Sequence, residues 1–421
     1  MATQQDLTSV ESTPDAWRRT TPSNPIVVIG AGIVGCSAAY HLLKAGARDV
    51  TVLDRNEPGG GTTAAGAGFV ALWAAGMAEL GAPGIDLERY SLEFYRRLHQ
   101  EGHAIDYRND GNLVLALTQD KWENVVRPIA EHEYASPGTK ALSPTEVAEL
   151  TGVVDPGAVA GGVLMPSGIQ LDTGKAVGAL TQLITSMGGR IETGVTVEGF
   201  TSTGGRTTAV RTSAGDFPCA AVVVAAGAWT NSVLAGLGAQ LPLVPVVATR
   251  IVTEPCGVPG SMPTIQCREF PLWIRESGGG FTWGTTAGYV PLSKWEDPAN
   301  PLLPGRPRDS ALFEALLDDA KRIATVFPAL ADAAVKSWLQ GLPVYTADGQ
   351  LVIGRLADHP DVVVLGGDNE TGVSHGPSMG RVAAELVQGT DTFTDINRFR
   401  PDRFDSAPVA AGTARKPWAH S

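Results

Sequence analysis

The chain has 421 residues, 43% of them hydrophobic and 18% charged, with a formal net charge of −12. That composition supports one large or two intertwined globular domains. The acidic balance, with no run of Lys and Arg longer than two, argues against a nucleic-acid groove built on clustered cations. Cys36, Cys219, Cys256 and Cys267 show no CxxC spacing, so neither a metal cage nor a redox dithiol is expected. Their pattern suits small buried side chains in a reducing cytoplasm. The opening segment lacks the apolar core of a signal peptide, and no window reaches the roughly 18 apolar residues of a membrane span. Residues 1–24 and 405–421 read as flexible polar arms.

In chain order, the first element is IVVI (26–29), a β-branched run suited to a fully buried parallel strand. Gly30, Gly32 and Gly35 follow in the spacing G-x-G-x-x-G. Gly30 allows a tight turn, Gly32 lets a diphosphate approach the backbone, and Gly35 lets a helix pack on the strand. That helix is expected from about Ile33 to Ala45, with Gly46 as its stop. Its N-terminus offers unpaired N–H groups and partial positive charge to a phosphate. A second strand, VTVL, ends at Asp54, 24 residues after Gly30, where a carboxylate accepts hydrogen bonds from a ribose. An acid there repels a 2′-phosphate, which favours FAD or NAD over NADP.

After Asp54 the loop RNEPGGGTTAAGAGFV supplies glycines and small residues against which a flat cofactor can lie closely. Strand-like runs GNLVLAL (111–117) and PVVATRIVT (245–253) occupy the middle of the chain. DSALFEALLDDAKRIATVFP (309–328) reads as an amphipathic helix with a solvated face. Near the end, DVVVL reads as a buried strand that runs into LGGDNETGVSHGP (365–377). A helix is expected to begin near Pro377, preceded by the backbone N–H groups of Thr371, Gly372, Val373 and Ser374. Strands and helices alternate near both ends, so a discontinuous parallel α/β cofactor domain plus a mixed-sheet domain is expected.

These segments resemble the D-amino-acid oxidase/glycine oxidase/sarcosine oxidase family of flavoenzymes. Thr62, Thr63, Gly66 and Gly68 match the family loop beside the flavin, and Arg55 follows the ribose acid. Val197, in ETGVTVEGF, matches the strand at the adenine side. Gly227 lies in the matching segment AAVVVAAGAWTNSVLAGLG, where Trp229 reads as packing. PVYTADGQLVIG (343–354) and the stretch from 361 to 389, with Gly367, match the last flavin strands and helix. The resemblance covers about residues 25 to 390. It implies a Rossmann-like FAD-binding domain assembled from 25–89, 166–239 and 341–400, and a mixed/antiparallel-sheet substrate domain from 90–165 and 240–340. The implied reaction is oxidation of a C–N bond in an amine or amino acid, with hydride passing to flavin N5 and an imine as product. The run Thr371–Ser374 would stabilise negative charge on the reduced ring.

The departures from the family are specific. Where relatives hold the substrate carboxylate with Arg, this chain has Pro343 and Glu370; where others place a Lys near the flavin, it has Ser374. Either Arg250 or Arg275 replaces the missing cation, or the substrate lacks a free carboxylate, as in an amine or an amino acid masked as ester, amide or carrier thioester. Where relatives attach FAD through His or Cys, this chain has Ala65 and Gly341, so FAD is expected to be noncovalent. Glu370 is the expected acid/base. His375 would donate to substrate or flavin, Tyr345 would orient substrate, and Trp73 would wall the pocket. Tyr289 and Arg275 fall on strands of unknown facing. Three other readings compete: a nicotinamide-only dehydrogenase, a flavin-binding subunit without catalysis, and a flavin monooxygenase.

Overall fold

The computed structural model describes residues 24–72, 77–267, 269–292 and 309–404. The expectations for the terminal arms and for Trp73 lie outside them. Six strands form one sheet in the order Val352–Arg355, Val362–Gly366, Ala221–Val224, Ile26–Ile29, Val50–Leu53 and Arg190–Glu192. Neighbours pair in parallel except the first, which runs antiparallel to Val362–Gly366. Every residue of Ile26–Ile29, Val50–Leu53 and Val362–Gly366 is buried, as continuous β-branched runs covered on both faces should be.

A second, mixed sheet has ten described strands, eight of them in the order Tyr289–Pro291, Leu243–Thr253, Gly280–Thr285, Leu272–Ser277, Thr264–Cys267, Asn112–Ala116, Gly161–Met165 and Lys140–Leu142. Val335–Gly341 and Val344–Thr346 pair in addition with Leu243–Thr253. Within this sheet only Thr264–Cys267 and Asn112–Ala116 run parallel. Both runs read as strands from the sequence therefore lie in one sheet, with three strands between them. The amphipathic segment forms the helix Ser310–Ile323, whose Leu312, Leu316 and Ile323 are buried. All four cysteines are free, and three are buried. Among the described residues no group of three His, Cys, Asp or Glu could hold a metal, and no helix is long and apolar enough to cross a membrane.

The glycine-fingerprint helix is Ile33–Lys44, and the C-terminal helix is Gly372–Gln388. They cross in close contact because Gly380 has no side chain: a Cβ there would lie 2.5 Å from the Ser37 carbonyl carbon. The C-terminal helix corrects the sequence reading. It starts at Gly372, five residues before Pro377, which lies inside it. An interior Pro has no N–H to offer the carbonyl four residues back. That carbonyl, Val373 O, instead accepts from the Tyr95 hydroxyl at 2.9 Å. Tyr95 is fully buried on the helix Met77–Gln100, so a contact remote in sequence repairs the helix.

Tyr95→Phe leaves that carbonyl unpartnered in the interior and is expected to cost about 1–3 kcal/mol. Urea unfolding should show the loss as a lower midpoint at unchanged slope.

Candidate active site

One continuous cavity of about 900 Å³ runs from the glycine fingerprint to the start of the C-terminal helix. At its first end Gly30 takes φ +108°, and a Cβ there would lie 2.4 Å from Ala225 O. A Cβ on Gly35 would collide with Gly30 O, so the helix can approach its strand only without one. Gly32 lines the cavity. The Asp54 carboxylate accepts from Ala31 N at 2.7 Å and from Asn56 N at 2.8 Å, which holds it at the cavity edge with lone pairs to spare. Arg55 stacks on Trp229, its guanidinium carbon 4.2 Å from the ring centroid. Val195, Thr196, Val197 and Gly227 complete this end.

The loop from Thr62 to Gly68 forms one long wall. Thr63 Oγ1 accepts from Ile33 N at 3.2 Å, tying the loop to the first helix, and Thr62 Oγ1 accepts from Leu342 N at 3.0 Å. A Cβ on Gly66 would press on Thr63 O and Thr173 Cγ2. Gly68 has φ +73°, and a Cβ there would stand 2.3 Å from Leu171 O.

Behind this wall lie two guanidiniums that the sequence offered as carboxylate binders. Arg250 Nε donates to Ala65 O at 2.8 Å, and its Nη1 donates to Thr282 Oγ1 at 2.8 Å. Arg275 Nε donates to Ala67 O at 2.5 Å and its Nη1 to Glu276 O at 2.9 Å. Desolvation pushes both guanidiniums down to about 10, and Arg250 adds repulsion at Arg275. Arg250 lines the cavity; Arg275 does not. Both act here as clamps on the loop carbonyls.

At the far end Gly367 takes φ +56°, and Asn369 and Glu370 take φ +48° and +75°, a conformation rare without glycine. Asn369 stabilises this turn with its amide. Its Oδ1 accepts from Thr346 N at 2.9 Å, and its Nδ2 donates to Gly367 O at 2.8 Å and Gly349 O at 3.1 Å. The turn delivers Glu370 to the cavity. Glu370 lines the cavity with its surface exposed. Desolvation pushes the carboxyl up to about 7; hydrogen bonds from Tyr345 and Tyr289 oppose the rise, and the Asp368 charge adds to it. Tyr289 in turn interacts with Trp273. Burial also raises Asp368 to about 6, against hydrogen bonds from the backbone of Glu370 and Val344.

Gly372, Val373 and Ser374 line the cavity at the helix start, where the first N–H groups have no intrahelical partner. Thr371 also borders the cavity, with its N–H bonded to Asp368 O. The structure does not bring His375 to the cavity. It is fully buried, with Nδ1 2.8 Å from Thr371 Oγ1 and Nε2 without a partner among the described residues. Burial lowers it to about 4, so it is neutral. Tyr345 is also buried, meeting the site through its hydroxyl toward Glu370. Sequence reasoning missed Asn369, Asp368, Trp273 and Thr282. The one available signal was Asn369, a residue that tolerates positive φ, placed after two glycines.

The cavity volume sits at the upper end of the range for ligand pockets, and its glycine cradle and ribose-type acid suit a dinucleotide. A family model described as DAO, FAD dependent oxidoreductase, matches residues 25–386. The chain belongs to this family. FAD is therefore its cofactor, and the nicotinamide-only reading falls away. The DAO chain is 28% identical over 387 residues to a 4-methylaminobutanoate oxidase (formaldehyde-forming) of Paenarthrobacter nicotinovorans, covering 89% of this chain and 45% of that one. It thus spans less than half the length of that relative. Its fold matches a glycine oxidase from Geobacillus kaustophilus at TM-score 0.78 and 22% identity, covering 91% of this chain and 99% of that one. An L-proline dehydrogenase from P. horikoshii matches at TM-score 0.79 and 22% identity, covering 92% and 99%.

Arg275→Met removes the clamp on Ala67 O and is expected to raise the FAD dissociation constant about tenfold. Titration of the apoprotein with FAD, followed by flavin fluorescence, measures it.

Proposed function

We propose that this DAO protein oxidises a C–N bond in a small amine or amino-acid-type substrate, using noncovalent FAD. The carrying observation is the single cavity that joins a dinucleotide cradle to a glutamate held between two tyrosines. The similarity to a methylaminobutanoate oxidase supports this reading. Gly30, Gly32, Gly35, Asp54, Thr62, Thr63, Gly66, Gly68, Val197, Gly227, Gly367 and the helix start Thr371–Ser374 would hold the cofactor. When bound, FAD supplies two-electron oxidation chemistry. Ala65 and Gly341 are neighbours, a Cβ added to Gly341 falling 3.2 Å from Ala65 Cβ, and neither offers a nucleophile for a covalent link.

The protein's own residues then orient and deprotonate. Glu370, near neutrality in its titration, can accept a proton from a bound ammonium and leave the nitrogen lone pair free. Tyr289 and Tyr345 stabilise its charged form and fix its direction. Arg250 and Arg275 hold the Ala65–Gly68 wall in place from behind. The four unpaired thiols suit a cytoplasmic setting.

Anaerobic mixing of the holoprotein with amines and amino acids should bleach the flavin band. Persistent colour across the whole set, with normal bleaching by dithionite, would count for a non-catalytic flavin subunit. Because the carboxylate form of Glu370 does the work, the bleaching rate should rise with pH through about 7. Glu370→Gln should flatten that limb and slow the reaction by about 10²–10⁴-fold.

A further inference from the structure

We infer that the substrate end of the cavity is an ammonium site, formed by Glu370, Tyr289 and Trp273 with the buried Tyr345 holding the carboxylate from behind, that takes N-alkylated amines carrying no free α-carboxylate. This rests on the amine-oxidation reading and specifies its substrate.

Four observations carry it. The first is the charge facing this space. Glu370 borders the cavity and is hydrogen-bonded by two tyrosines, with Asp368 as the other charge acting on it. A cation placed there is attracted by the carboxylate, whereas an α-carboxylate would lie a bond or two from that same anion. The second is the state of the guanidiniums. The side-on fork of Arg250, the geometry that grips a carboxylate, is broken because Nε is bonded to Ala65 O. Arg275 is off the cavity, and Arg55 is stacked on Trp229 beside Asp54 at the dinucleotide end.

The third is the helix start. Its N–H groups go to the cofactor in the proposed function, and Asp368 packs beside it, a Cβ on Gly372 falling 2.3 Å from Asp368 Oδ2, so it is not left for a substrate carboxylate. The fourth is the wall. Phe69, Trp273 and Tyr289 line the cavity, and the rings of Phe69 and Trp273 stand 5.8 Å apart. Aromatic faces beside a carboxylate favour an alkylated ammonium, whose N-alkyl groups bury apolar surface while its charge meets the ring quadrupoles.

Two measurements on the holoprotein test this. In the first, anaerobic flavin reduction compares N-methylalanine with N-methylalanine amide and N-methylbutylamine. The amide and the alkylamine should reduce the flavin at least about tenfold more efficiently than the free acid, a difference of about 1.4 kcal/mol. Equal or better reduction by the free acid overturns the inference while leaving amine oxidation intact. In the second, tetramethylammonium is titrated against the flavin spectrum, which reads binding without turnover. Binding should tighten with rising pH through about 7 and weaken about tenfold or more in Glu370→Gln. Tyr289→Phe and Tyr345→Phe remove hydrogen bonds to the carboxylate, so each should move the midpoint to higher pH. Pyruvate binding as tightly as the cation, or Glu370→Gln binding the cation unchanged, overturns the site even if amines reduce the flavin. Binding as expected without reduction by any amine leaves the ammonium site standing and removes the oxidation reading.

Discussion

Two helices, far apart in sequence, touch because Gly380 has no side chain where it meets Ser37. The rest of the site depends on that approach. Helix Ile33–Lys44 and helix Gly372–Gln388 each bring an N-terminus to the same cavity. Each N-terminus offers unpaired N–H groups and partial positive charge. One serves a diphosphate, and the other lies where a redox ring would gain electron density. A methyl group on Gly380 would push the helices apart and separate the two ends of the cofactor cradle. Pro377, one turn earlier, removes a hydrogen bond from the second helix, and the buried Tyr95 hydroxyl replaces it. The packing of a third helix therefore maintains the element that the crossing positions.

The wall between the two ends is a single helical turn, Thr62–Ala65, followed by the small residues Gly66–Gly68. Its fixed shape comes from partners: Thr63 on Ile33 N, Thr62 on Leu342 N, and two arginines on the carbonyls of Ala65 and Ala67. Among the described residues neither arginine forms a salt bridge, and burying a cation without a carboxylate partner is costly. Neutral acceptors around each guanidinium recover part of that cost.

The strand–glycine–helix–strand unit was legible in detail because each of its features is local. A β-branched run, a glycine spacing and a terminal acid all act within 30 residues. The mixed sheet was legible only as strand-like runs, since pairing of Asn112–Ala116 with Thr264–Cys267 joins segments about 150 residues apart. Pro377 misled the reading of the last helix for the same reason: a local rule places Pro at the first turn, and the distant Tyr95 makes the interior position tolerable. His375 looked catalytic by its position in a polar stretch, yet the helix turns its ring into the core. Arg250 and Arg275 were read from the sequence as candidate carboxylate-binding cations on the middle sheet. Only their carbonyl partners showed that they brace the loop.

Residue order by itself determined the dinucleotide fingerprint and the parallel sheet around Ile26–Ile29, which follow from short-range sterics and the chemistry of one terminal acid. FAD rather than NAD, and Glu370 and Ser374 standing where relatives carry cations, came from the resemblance to the family. Tertiary structure alone decided which groups face one another. It set Tyr289 and Tyr345 on the Glu370 carboxylate, locked that turn through Asn369, and spent the arginines on backbone carbonyls. Facing is a property of how sheets and helices stack. A strand position one residue along points to the opposite side, and nothing local to the chain selects which side becomes the cavity.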